Sequence, residues 1–219
     1  MLQEPITSTD IVRELQKLYP KAECTLDWNT PLELLVSTIL AAQCTDKRVN
    51  KVGKTLYRKY KTPQDFLRVS QEELEVDIHE LGSFRIKARA IQESCQVIID
   101  NYNNEVPQTM KQMLTLRGVG RKTAAVVLHT AFGVIEGIPI DTHNIRLLNR
   151  MGVVSTKNQD KIELQMMKET PKKHWPHLSH LLVAHGRAVC SAHNRNCSSC
   201  PFQENCPSSQ TQGRSDQSK

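Results

Sequence analysis

Along this chain apolar residues recur every three to four positions rather than every second one, and the rhythm holds almost throughout. Ser8 or Thr9 can cap a first helix through DIVRELQKLYP, where Ile11, Leu15 and Leu18 share a face. Thr30-Pro31 reads as N-cap and first helical residue of PLELLVSTILAAQ, which is apolar on most sides and so expected at the centre of a core. TDKRVNKVGKTLYRKY follows with Thr45 as its cap, then TPQDFLRV behind Thr62-Pro63, then SQEELEVDIHEL behind Ser70, closed by Leu81-Gly82. IKARAIQESCQVIIDNY is a long amphipathic helix, and VPQTMKQMLTL starts another behind Pro107. The turn RGVGR leads into KTAAVVLHTAFG, and DTHNIRLLNRM, KNQDKIELQMMKET and HLSHLLVAHGRAVC complete the series. No segment alternates between hairpin turns as a strand does. The prediction is an all-α fold of about ten short helices. The closing PSSQTQGRSDQSK (207–219) has no aliphatic or aromatic anchor and is expected to be disordered.

Length and composition narrow the picture. The 219 residues allow one large or two small domains. Mean hydropathy is −0.46, and no run reaches the roughly 18–20 apolar residues of a membrane span. MLQEPITSTD lacks a basic stretch followed by an apolar one, so the chain reads as intracellular, with no membrane partner. A net charge of +6 and a pI near 9.0 suit a polyanionic partner without identifying it. Seven cysteines, an odd number in a chain without a signal, argue against a disulfide framework. Cys24, Cys44 and Cys95 are scattered and read as packed thiols, whereas Cys190, Cys197, Cys200 and Cys206 fall in one short stretch.

The sharpest local pattern is LRGVGRKT, Leu116 to Thr123. Gly118 and Gly120 permit a tight turn with positive φ, and their missing Cβ atoms let backbone N–H groups at the next helix start approach an anion. Val119 can point inward and lock the turn. This is a helix-hairpin-helix able to grip phosphate; an αα-hairpin corner without a ligand has the same glycines. Lys122 falls in the first helical turn beside Arg121, where the helix dipole, the neighbouring charge and partial burial all favour the neutral amine that imine chemistry needs. A charged lysine touching phosphate is the plainer alternative.

Asp141 follows Lys122 by 19 residues. The helix after Lys122 runs about 16 Å at 1.5 Å per residue. The eight residues 133–140 can span about 26 Å, enough to bring Asp141 back to the lysine's end. There a carboxylate can take a proton or steady positive charge on a sugar; it can also simply cap DTHNIRLL, and one position serves both roles.

The four clustered cysteines are spaced C-x6-C-x2-C-x5-C. One close pair with wide flanking gaps suits a [4Fe–4S] cluster better than zinc, although spacing alone leaves zinc open. SAHNRN between the first two carries His193 and Arg195, positive groups on a cross-linked loop.

Together AAQCTD (Ala41–Asp46), LRGVGRKTA, IDTHNIR, HGR (His185–Arg187) and the cysteine loop resemble the endonuclease III family of helix-hairpin-helix DNA glycosylases, from about Ile11 to Cys206. The resemblance implies a six-helix barrel at about 22–132 and a discontinuous domain of 1–21 and 133–206 that carries the [4Fe–4S] cluster on the four cysteines, with the active site in the cleft between. It implies a monomeric enzyme, cytoplasmic or nucleoid-associated, acting on duplex DNA that contains damaged bases or abasic sites. It would remove oxidised pyrimidines through a Schiff base on Lys122, with Asp141 assisting, and then cut the strand by β-elimination. The hairpin's Gly118, Gly120 and Arg121 and the loop's Arg195 would grip phosphate, while Gln43 fills the vacated stack. Where relatives often place a large apolar residue after the glycine corresponding to Gly82, this chain has Ser83-Phe84, so either Phe84 is the wedge or the loop is shifted. Arg117 stands where the family usually has proline, loosening the turn slightly.

The related adenine glycosylases have an acid before the Gln segment, no counterpart of Lys122 and an additional C-terminal domain. Leu34–Ala42 contains no acid, Lys122 is present, and only 13 residues follow Cys206. A thymine-mismatch glycosylase is a closer rival, which the lysine disfavours. A non-enzymatic DNA-binding module would use only the hairpin and the cysteine loop, and would retain function as Lys122→Arg.

Overall fold

A computed structural model describes residues 4–210. Among them are eleven α-helices, two short 3₁₀ turns and no strand, only an isolated antiparallel bridge between Cys190 and Arg195. The all-α prediction holds. The chain divides into two compact units, Cys24–Glu136 and a second built from the residues up to Glu23 together with those from Gly137 onward.

The Cys24–Glu136 unit carries α2 (Pro31–Leu40), α3 (Asp46–Lys59), α4 (Pro63–Leu67), α5 (Gln71–Asp77), α6 (Phe84–Tyr102), α7 (Met110–Met113) and α8 (Arg121–Phe132). Helix α2 is its centre: Leu34, Leu35, Val36, Ile39 and Leu40 are all buried, and the helix packs against α3, α6 and α8. Local chemistry starts it, since Thr30 Oγ1 accepts a bond from Glu33 N and Pro31 occupies the first turn. In α4, Thr62 and Asp65 form a reciprocal capping box. Helix α7 is four residues long, shorter than its apolar pattern predicts; Thr109 caps it from behind, and Val106 and Pro107 are buried ahead of it, outside the helix.

The other unit contains α1 (Ser8–Leu18), α9 (Thr142–Arg150), α10 (Gln159–Glu169) and α11 (Trp175–Ala188). Both α1 and α9 pack on α11, burying Ile11, Leu15, Leu147, Leu148, Leu178 and Leu182. The cap of α1 is Thr7 rather than Ser8 or Thr9, because only Thr7 has an acidic partner three residues on. Asp10 N donates to its hydroxyl, and the Asp10 carboxylate accepts from Thr7 N. Buried Phe202 seats the cysteine loop in this core.

Residues 211–219, which complete the tail expected to be disordered, lie outside the described residues. Pro207, Ser208 and Ser209, grouped with that tail by composition, close the cysteine loop. Arg195 donates to the Ser208 carbonyl at 3.0 Å, Ser209 N donates to the Cys206 carbonyl at 2.9 Å, and Ser208 and Ser209 line the cysteine pocket.

Candidate active site and cysteine centre

The hairpin is built from the inside out. Leu116 and Val119 are buried and hold a turn in which Val119 N donates to the Leu116 carbonyl. Gly118 takes φ +76, and a Cβ there would stand 3.2 Å from Ala90 Cβ, so this position requires glycine twice over. Gly120 differs. It is the extended N-cap of α8 with φ −88, and a Cβ there would meet open space; its bareness leaves the helix's first N–H groups accessible. The tight turn takes its positive φ at Gly118 and not at Gly120. Arg117 does not leave the turn loose: its guanidinium bonds Glu93 at 2.7 Å, and Ser94 Oγ donates to its carbonyl. Lys122, in the first turn of α8, is exposed rather than partly buried.

Asp141 is the N-cap of α9. Its Oδ1 accepts bonds from Asn144 N at 2.9 Å and Asn144 Nδ2 at 3.0 Å. The segments IDTHNIR and HGR meet where α9 crosses α11. A Cβ at Gly186 would lie 2.7 Å from His143 Nδ1 and 3.0 Å from Arg146 Nη2, so a larger residue would force these side chains to shift.

Gln43 is exposed and holds φ +56, an uncommon conformation for a residue with a side chain. Ser83 has the same φ at the start of α6. Phe84 is half-buried, packed on the core with the Arg85 guanidinium 5.2 Å from its ring centre.

Cys190, Cys197, Cys200 and Cys206 line one pocket together with Arg150 and Arg195. Arg150 Nη1 donates to Cys190 Sγ at 3.2 Å and to the Ser191 carbonyl at 2.7 Å. His185, fully buried, sets Nε2 3.4 Å from Cys200 Sγ and Nδ1 3.2 Å from the Tyr19 hydroxyl. Burial pushes the Cys200 thiol up to about 11, with the neighbouring cysteines adding to the shift, and burial raises Cys206 as well. Among the described residues, no three His, Cys, Asp or Glu side chains converge closely enough to hold one metal ion. A cluster spreads its ligands more widely than a single ion does, and four thiols flanked by two guanidinium groups form a donor set suited to one. Cys24 and Cys44 pack against the Cys24–Glu136 core, and Cys95, buried within it, has its thiol pushed up to about 12 by burial.

Residues 36–172 match the family model for the HhH-GPD superfamily of base excision DNA repair proteins. Endonuclease III of Synechocystis sp. is 45% identical over 93% of both chains, that of Bacillus subtilis 43% over 86% of both, and that of Escherichia coli 36% over 90% of this chain and 93% of its own. The chain belongs to the HhH-GPD superfamily of base excision DNA repair proteins. A non-covalent endonuclease III–DNA complex superimposes with a TM-score of 0.89 at 42% identity, covering 94% of this chain and 98% of that one. A trapped endonuclease III–DNA covalent intermediate gives 0.90 at 41%, covering 95% and 100%. A thermostable thymine-DNA glycosylase, 22% identical with a TM-score of 0.81, shares the fold. This HhH-GPD protein is a bifunctional DNA glycosylase and AP lyase of base excision repair. The endonuclease III proteins it is similar to typically bind a [4Fe–4S] cluster.

Around these motifs the HhH-GPD chain places polar residues that sequence reasoning did not select. Arg146 donates to the Gly186 and Cys190 carbonyls, joining α9 to the end of α11, and burial lowers its pKa. Lys87, buried on α6, donates to Cys44 Sγ at 3.3 Å and so ties the segment bearing Gln43 to the helix bearing Phe84. Arg150 and His185 touch the cysteine sulfurs, and Asn144 touches Asp141. The only sequence signal for any of these was membership of a motif, which covered Asn144, Arg146 and His185.

Proposed function

We propose that Lys122 is the nucleophile of this glycosylase and lyase, that Asp141 assists it, and that the substrate is duplex DNA carrying oxidised pyrimidines. The damaged nucleotide is turned out of the stack, at least cost where its pairing is already weakened. The Lys122 amine attacks C1′ as the base departs, and the sugar ring opens to the Schiff base. Loss of a proton from C2′ then expels the 3′ phosphate by β-elimination. Asp141 accepts the proton leaving the amine and steadies positive charge as it develops on the sugar. The observation that carries this reading is an exposed lysine in the first turn of α8, directly after a hairpin whose bare Gly120 leaves N–H groups open to phosphate.

Gly118, Gly120, Arg121 and Arg195 grip the backbone, Gln43 fills the gap in the stack, and Phe84 or its strained neighbour Ser83 meets the opposite strand. Arg195 reaches phosphate while its other bonds hold the loop closed, as its bond to Ser208 does here. Cys190, Cys197, Cys200 and Cys206 hold a [4Fe–4S] cluster, which when bound cross-links the loop that presents Arg195. The enzyme works as a monomer, with a barrel domain and a discontinuous cluster domain.

Borohydride reduction in the presence of abasic-site DNA tests the nucleophile. The wild type forms a covalent adduct and Lys122→Gln loses it; an adduct that persists unchanged in the variant refutes the assignment.

A further inference from the structure

The segment that delivers Asp141 is fastened at three successive residues by side chains from three different helices. Ser179 Oγ of α11 donates to the Pro139 carbonyl at 2.6 Å. Gln159 Nε2 of α10 donates to the Ile140 carbonyl at 2.8 Å. Asn144 Nδ2 of α9 donates both to Asp141 Oδ1 at 3.0 Å and to the Ser179 carbonyl at 3.3 Å. Asn144 is fully buried and Ser179 nearly so, which makes these interior bonds.

The Asn144 amide is expensive. Its Oδ1 is buried with no hydrogen-bond partner. An unmatched buried acceptor of this kind is destabilising, and turning the amide over would aim its oxygen at a carboxylate and a carbonyl instead. An apolar residue of the same shape would avoid the cost, and the backbone N–H of residue 144 would still cap Asp141. What the amide adds is a second donor on Oδ1. A second donor on the same oxygen restrains the carboxylate's rotation more tightly than the cap bond does alone. No hydrogen bond among the described residues engages Asp141 Oδ2, so fixing Oδ1 sets where the free oxygen points.

We propose that Asn144 is a positioning residue for the lyase reaction: it holds Asp141 so that Oδ2 is presented to the reacting sugar and amine. This rests on the role given to Asp141 above. Misplacing a catalytic group by a fraction of an ångström lowers turnover without weakening the hold on DNA.

The test compares wild type, Asp141→Asn and Asn144→Leu in single-turnover cleavage of abasic-site DNA. Each rate is divided by the fraction of molecules able to bind DNA carrying a non-cleavable abasic analogue, so a variant that folds poorly shows a smaller competent fraction rather than a false loss of rate. The expected result is a rate per competent molecule about 10-fold lower in Asn144→Leu, with binding within twofold of wild type and a loss no greater than that of Asp141→Asn. Should the leucine not be accommodated, Asn144→Ala carries the same expectation. A wild-type rate per competent molecule in Asn144→Leu, with Asp141→Asn impaired, overturns the positioning role and leaves Asp141's role standing. A wild-type rate in Asp141→Asn overturns the role of Asp141 itself. A loss in Asn144→Leu greater than in Asp141→Asn shows that Asn144 acts through some other group.

Discussion

At the scale of single residues the hairpin separates two reasons for a glycine, and they predict opposite phenotypes. Gly118 sits at φ +76 with Ala90 Cβ 3.2 Å from where a methyl group would be. Gly118→Ala should therefore lose about 1–3 kcal/mol of folding free energy in urea denaturation, from backbone strain and crowding combined. Gly120 has ordinary extended backbone and open space around it. Gly120→Ala should shift stability by less than about 0.5 kcal/mol, while its methyl group, beside the N–H groups at the start of α8, weakens binding to undamaged duplex DNA. A large stability loss in Gly120→Ala, or none in Gly118→Ala, contradicts this division. The sequence shows both glycines as one motif. The backbone conformation and the contact with Ala90, 28 residues earlier, tell them apart.

At the scale of elements, helix starts were legible because their chemistry is local. Thr30-Pro31, Thr62-Pro63 and Ser70 all cap where the sequence places them, each within three residues of its partner. The same locality gives α4 a pH dependence. The Asp65 carboxyl is held below its ordinary range by the N–H of Lys61, with the Thr62 hydroxyl and N–H adding to the effect. A carboxyl depressed in the folded state stabilises fully above the ordinary carboxylate range, and that contribution fades as pH falls through the lowered value. Asp65→Asn should thus melt below wild type at pH 7, with the gap closing towards pH 2; Thr62→Ala, losing the other half of the box, should cost about 1 kcal/mol at neutral pH. Thermal melts across that range decide it, and a gap that widens in acid refutes the account. What was not legible depends on distant partners. Asn144 meets Ser179, Lys87 meets Cys44, and Arg150 meets Cys190, and no periodicity or short motif encodes such pairings.

For the molecule as a whole, the discontinuous unit makes the two ends of the chain depend on each other. Helix α1 lies on α11 and fills its core with Ile11 and Leu15, Ser8 Oγ donates to the Glu169 carbonyl, and Asn205 Nδ2 donates to the Glu4 carbonyl. The Tyr19 hydroxyl, just after α1, bonds His185, whose other ring nitrogen faces Cys200. The four cysteines lie close together in sequence, yet the pocket they line is supported through His185 by Tyr19, 166 positions before that histidine. If these cysteines hold the cluster, a chain lacking residues 1–20 keeps every ligand and loses their support, and it should purify with little of the broad absorbance near 400 nm expected of the full chain. Ile11→Asp, which places an unpaired charge in the same core, should lower that absorbance and the melting temperature together. The Cys24–Glu136 unit keeps its own core around α2, so helical signal from that part should outlast the loss of the cluster. Full absorbance in the truncated chain would mean that the cysteine loop folds around its iron without help from α1, and the coupling drawn here through Tyr19 and His185 would then be a consequence of the loop's structure rather than its support.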